Sequence, residues 1–219
     1  MCGRFALALP AKSLAEHFQL ETFPEFSPRY NIAPAQLVAT IVKNKKSNKR
    51  VMKIYRWGLI PPWSKDPAIG SRLINARSET VAEKPSFRSA FRNKRCLIPA
   101  TGFYEWKRQD KQPYFIRMLD EKPFAFAGLW EHWKGKNETI ESCTILTVES
   151  NMAVRSIHDR MPVILPSDSY DIWLDPGNTK IESLEPLLKP YPPADMIIYP
   201  VGTYVNKPKN DDPECIQSL

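Results

Sequence analysis

The chain is 219 residues long, 42% hydrophobic and 25% charged, a balance that supports one buried core and excludes a disordered or fibrous protein. No apolar run approaches the ~18 residues of a membrane span, and residues 5–9 are too short for a secretory signal. A formal charge of +7, from 31 basic against 24 acidic residues, favours a polyanionic partner through attraction and counterion release.

A strand is predicted over residues 2–9, then a helix over 10–20 that starts on Pro10 and carries His17 as a surface or packing residue. Residues 21–35 read as a proline-rich loop. With 21 prolines and only 8 glycines, the chain favours rigid turns and ordered loops over flexible linkers. Two β-rich runs, 37–42 and 51–55, flank the basic stretch 43–50 and predict a hairpin. The segment RWGLIPPW follows, with Trp57 and Trp63 around Pro61-Pro62. Short helices are expected at 75–80 and 87–94. Strands are predicted at 96–99, 102–107, 114–119, 124–130 and 139–147, with turns at 109–111, 121–122 and 135–137. Then come a helical segment at 151–157, a strand at 161–165, helices at 170–174 and 181–188, a strand at 196–201, and a polar tail from about residue 207. Many strands with few helices between them indicate an α+β fold with a distorted, barrel-like, mainly antiparallel sheet. Residues 1–219 read as a single domain without repeats.

The four cysteines, Cys2, Cys96, Cys143 and Cys215, form no CxxC pair, and the three histidines are far apart, so no structural zinc site is expected. A chain of this size has no need of disulfides. The expectation is a reduced, cytoplasmic or nuclear monomer with no cofactor and no metal.

Cys2 follows the initiator, and methionine aminopeptidases remove Met1 when the second residue is small. Mature Cys2 would then carry a free α-amine beside its thiol. The amine titrates near ~7.7–8.0, so a sizeable share is nucleophilic at pH 7. A cationic neighbour such as Arg4 would raise the thiolate share. A vicinal aminothiol condenses with an aldehyde to an imine, and the thiol then closes a thiazolidine ring. An internal cysteine cannot do this, because its nitrogen is an amide.

Three further patches place polar residues in apolar surroundings. In Thr101-Gly102-Phe103-Tyr104-Glu105-Trp106-Lys107, alternation puts Phe103 and Glu105 on one face, Tyr104 and Trp106 on the other. Glu105 is either a desolvated acid–base group or a rim salt bridge with Lys107 or an arginine. His158 lies just before an apolar strand, between Arg155 and Asp159-Arg160; it is either a proton shuttle or a structural histidine. Asn75 either donates to a reacting centre or caps its helix. Arg77 either contacts phosphate or pairs with Glu79.

Taken in order, MCGRF, YNIAP, RWGLIPPW, NARSET, TGFYEW, FAFAGLW and HDRMPVIL resemble the SOS-response-associated peptidase (SRAP) family over nearly the whole chain. The resemblance implies a distorted antiparallel barrel wrapped by short helices. It also implies a protein that recognises abasic sites in single-stranded DNA and bonds to them covalently. On that resemblance Cys2 is the nucleophile, and Asn75, Glu105 and His158 complete the active site. Arg4, Arg77 and Arg160 contact DNA, Trp106 stacks on a base, and Pro61 and Trp63 pack beside the lesion. Two other readings stay open: an N-terminal-cysteine peptidase, autoproteolytic at Met1, and a single-strand binder without catalysis.

Overall fold

The basic stretch at 43–50 does turn a hairpin, and that hairpin is one wall of a barrel. The computed structural model describes residues 2–219; Met1, and with it the expected removal of the initiator, lies outside the described residues. In chain order the elements are β1 (Phe5–Leu7), α1 (Ala11–Phe18), β2 (Leu20–Thr22), β3 (Arg29–Ile32), β4 (Leu37–Lys43), β5 (Arg50–Trp57), β6 (Asn75–Arg77) and α2 (Arg88–Asn93). They continue with β7 (Arg95–Ala100), β8 (Gly102–Trp106), β9 (Pro113–Met118), β10 (Phe124–Lys134), β11 (Thr139–Glu149) and α3 (Met152–Arg155). The last are β12 (Arg160–Pro162), β13 (Ile164–Leu165), α4 (Tyr170–Leu174), α5 (Ile181–Leu184) and β14 (Met196–Pro200).

Strands β11, β10, β7, β4 and β5 are neighbours in that order, and β5 pairs back on β11, which closes a ring. The closing pair is parallel, Ser142 with Arg56 and Cys143 with Trp57, while the others are antiparallel. Closure leaves no unpaired edge along the ring. The inside is apolar, with Trp57, Ile98, Phe126 and Ile145 each buried on the same face of their strands. The expected α+β fold with a mainly antiparallel barrel and short peripheral helices is therefore present.

A second sheet, ordered β14-β9-β8-β1-β3, lies against the barrel. Its strand β1 is buried on both faces. Phe5 meets Trp57 edge-on at 5.3 Å and Phe126 at 5.7 Å, whereas Ala6 faces a separate apolar cluster with Tyr104, Phe115, Val201, Val205 and Cys215. Burying Phe5 contributes about 2–3 kcal/mol and anchors the amino end on the barrel.

Several expectations need correction. Helix α1 stops at Gln19, whose φ of 54° is left-handed and whose N–H caps Ala15 and Glu16, so Leu20 begins a strand. The loop at 21–35 contains β3, which β1 recruits from a distance. Asn75 opens a strand rather than a helix: β6 runs parallel to β11, Asn75 opposite Ile145, and only Ser78–Thr80 turns helically. The strand at 161–165 divides at Val163, with β12 on β11 and β13 on β10. The polar tail is structured. Asp211 accepts from the Arg29 side chain and from the Tyr30 and Asn31 N–H groups, and Cys215 is buried against the second sheet. All four cysteines are unbonded and buried. Among the described residues no helix is long and apolar enough to cross a membrane.

Candidate active site

Four segments distant in sequence meet at the amino end of β1. The loop 58–73 delivers the first. Gly58 has φ 130°, and a Cβ there would lie 2.6 Å from the Gly70 carbonyl oxygen, so only glycine lets the loop close on itself. The chain leaves the loop with the Ile74 carbonyl accepting from Trp57 Nε1 at 2.8 Å. The barrel's buried tryptophan thereby sets the start of β6. Asn75 follows, and its Nδ2 donates to the Cys2 carbonyl at 2.8 Å. Asn75 Oδ1 is buried and accepts no hydrogen bond among the described residues.

Strand β8 supplies Glu105. Its register with β9, Glu105 opposite Tyr114, and the alternation read from sequence send Phe103 toward the barrel and Tyr104 and Trp106 toward the tail. Glu105 is 3% exposed, so it is no rim residue. Desolvation raises its pKa to about 7. Cys2 is fully buried. Burial, and then the Glu105 carboxylate, push its thiol well above the ordinary cysteine value, while the Arg4 backbone N–H pulls the other way. The expectation that Arg4 would acidify the thiol is thus corrected. Its guanidinium donates instead to Asn31 Oδ1 at 2.6 Å and the Val205 carbonyl at 2.8 Å, and sits 5.7 Å from the Trp106 ring.

His158 sits between α3 and β12. Its Nδ1 accepts the Arg160 N–H at 3.0 Å, which assigns the ring proton to Nε2. Asp159 Oδ1 is 3.1 Å from the same Nδ1, a contact that becomes a hydrogen bond only when Nδ1 itself carries a proton. Burial lowers the His158 pKa, so the neutral form and the Arg160 bond prevail.

A cleft of about 530 Å³ opens beside these groups, lined by Arg77, Arg108, Arg155 and Arg160, with Glu149, His158 and Asp159. Arg77 is exposed and has no ion pair among the described residues. Glu79 takes Arg160 instead, at 2.6 and 3.0 Å, and Arg160 also donates to the Thr147 carbonyl at 2.6 Å. Arg4, Trp106, Pro61 and Trp63 do not line this cleft. Trp106 is half-buried and donates to Asn206 Oδ1 at 2.8 Å. Pro61 is buried, and Trp63 is 57% exposed with its Nε1 3.4 Å from the Pro85 carbonyl. Sequence reading missed Arg108, Glu149 and Asn31. For Arg108 a signal existed: it lies on the same hairpin as Glu105 and Trp106.

The fold and site define an α+β protein in which the second residue, Cys2, is buried beside a carboxyl of raised pKa, with an arginine-rich cleft nearby. The SOS response associated peptidase (SRAP) profile matches residues 1–208, and the chain belongs to that family. Among similar proteins, abasic site processing protein YoqW of Bacillus subtilis is 48% identical over 225 residues, covering all of both chains. Abasic site processing protein HMCES of Xenopus tropicalis is 35% identical over 89% of this chain and 67% of its own. A crystal structure from Bacteroides thetaiotaomicron has a TM-score of 0.90 and 28% identity over all of both chains.

Proposed function

We propose that this protein processes abasic sites in DNA, binding single strands and trapping the lesion on Cys2. The observation that carries the reading is Cys2, buried with its carbonyl held by Asn75 and beside a carboxyl whose pKa is about 7.

Removal of Met1 would free the Cys2 α-amine, and Asn75 Oδ1, which accepts no hydrogen bond among the described residues, would orient it. An abasic deoxyribose is in equilibrium with its ring-opened aldehyde. The amine adds to that carbonyl carbon, and loss of water gives an imine. The thiol then forms the S–C bond at the imine carbon, its proton passing to nitrogen, which closes the thiazolidine. Glu105, half-protonated near neutrality, moves the protons of addition and dehydration. His158 donates from Nε2 to a sugar oxygen. A thiol kept neutral until the imine forms suits this order, because the amine must react first. The same property argues against an amide-cutting thiolate in the resting protein. Arginines on flanking phosphates make binding salt-sensitive and independent of sequence.

Denaturing gels with abasic, intact single-stranded and duplex oligonucleotides test the reading. An SDS-resistant band with the abasic strand, lost in Cys2→Ala while salt-sensitive retardation persists, is the expected result. A thermally stable adduct in Cys2→Ala would remove the nucleophile assignment. Peptide turnover without DNA would favour the peptidase reading, and retardation abolished by SDS would leave a binder only.

A further inference from the structure

Asp159 Oδ1 is shared between two partners. It lies 2.5 Å from Arg108 Nη2 and 3.1 Å from His158 Nδ1. Arg108 and Asp159 are 61% and 58% exposed at the side chain, whereas His158 is 16% exposed. The solvent-exposed pair thus touches the half-buried ring from the cleft side.

An exposed ion pair is held by only ~0–1 kcal/mol. A phosphate offers an arginine a bidentate, charge-assisted partner that outcompetes such a pair. We infer that Arg108 and Asp159 form a phosphate-operated latch on His158: a DNA phosphate entering the cleft draws Arg108 off Asp159, and the released carboxylate binds a protonated His158 ring through Nδ1. This rests on the reading of the cleft as a DNA site. The ring takes one proton from solvent as the strand binds. Phosphate is then matched by Arg108 and the carboxylate by the imidazolium. The Arg160 N–H···Nδ1 bond is given up, since a protonated Nδ1 cannot accept. Bound DNA would thereby arm His158 as a general acid at the moment a sugar oxygen needs its proton.

Other charged groups that line the cleft with the ring are Arg77 from β6, Arg160 from β12, and Arg155 with Glu149. Arg155 and Glu149 already face each other at 3.8 Å. Of all these, Asp159 touches the ring nitrogen directly. Arg108 and Asp159 are positioning residues: they act through His158.

The test is an NMR pH titration of the His158 ring, assigned by comparison with His158→Gln, with and without an intact single-stranded oligonucleotide that has no abasic site and cannot react. In the wild type, saturating oligonucleotide should raise the midpoint by about 0.5–1 pH unit. Arg108→Gln should raise it as much in the DNA-free protein, with little further change on adding DNA. Asp159→Asn should keep a low midpoint in both states. An unchanged midpoint in DNA-free Arg108→Gln would overturn the latch, as would a full DNA-dependent rise in Asp159→Asn. A wild-type midpoint indifferent to the oligonucleotide, with Arg108→Gln still raised, would sink the DNA trigger and leave the coupling of the two residues standing.

Discussion

The Asn75 amide donates to the Cys2 carbonyl at 2.8 Å, across 73 positions of sequence. This bond fixes the residue that bears the reacting groups without touching its thiol. Asn75→Ala removes the tether, worth about 1–2 kcal/mol. The expected outcome is a 5- to 30-fold slower adduct, on the order of that energy, with DNA affinity unchanged in the same gels.

Glu105 has a pKa of about 7 against an ordinary 4.5. Between those values the folded protein holds a proton that the unfolded chain releases. The stability this group contributes is therefore fully present below pH 4.5 and lost as pH rises through about 7. Glu105→Gln, uncharged throughout, should gain about 1–3 kcal/mol on the wild type by pH 8, read from urea melts across the range. Its adduct formation should also lose the inflection near neutrality.

Arg77 and Arg160 line one cleft but are held differently. Arg77→Ala should make the plot of log Kd against log salt shallower by about 0.7 for a single strand, with an unaltered Tm. Arg160→Ala breaks the paired contacts to Glu79 and the bond to Thr147, and should also cost about 2 kcal/mol in a thermal melt.

Asp211 gathers the Arg29 side chain and two backbone N–H groups of β3. Asp211→Ala leaves those N–H groups short of an acceptor and should cost about 2–3 kcal/mol. Limited proteolysis should then cut beyond residue 205 first.

Local pattern carried much of this structure. The β4–β5 hairpin was legible because two β-rich runs flank a charged turn, and alternation placed Glu105 on the face of Phe103 but left a desolvated acid and a rim salt bridge both open until its burial decided for the first. Strand β6 was not legible. Its pairing with β11 is parallel and distant, and Asn75 is as good a helix cap as a strand opener until Trp57 claims the Ile74 carbonyl. The same limit hid the Arg4 guanidinium, which Asn31 and Val205 draw away from the thiol, and the meeting of Arg108 with Asp159, which lie on separate loops. Chemistry that depends on types of residue was readable; charge pairing that depends on distant loops was not.

The dependence of β6 on β11 has a consequence for synthesis. Asn75 reaches its place only when residues 145–147 are available to pair with β6. On the ribosome, then, the emerging amino terminus has no pocket to retreat into until most of the polypeptide has been translated. An aminopeptidase working on nascent chains would meet it unprotected, before the barrel shuts over Cys2.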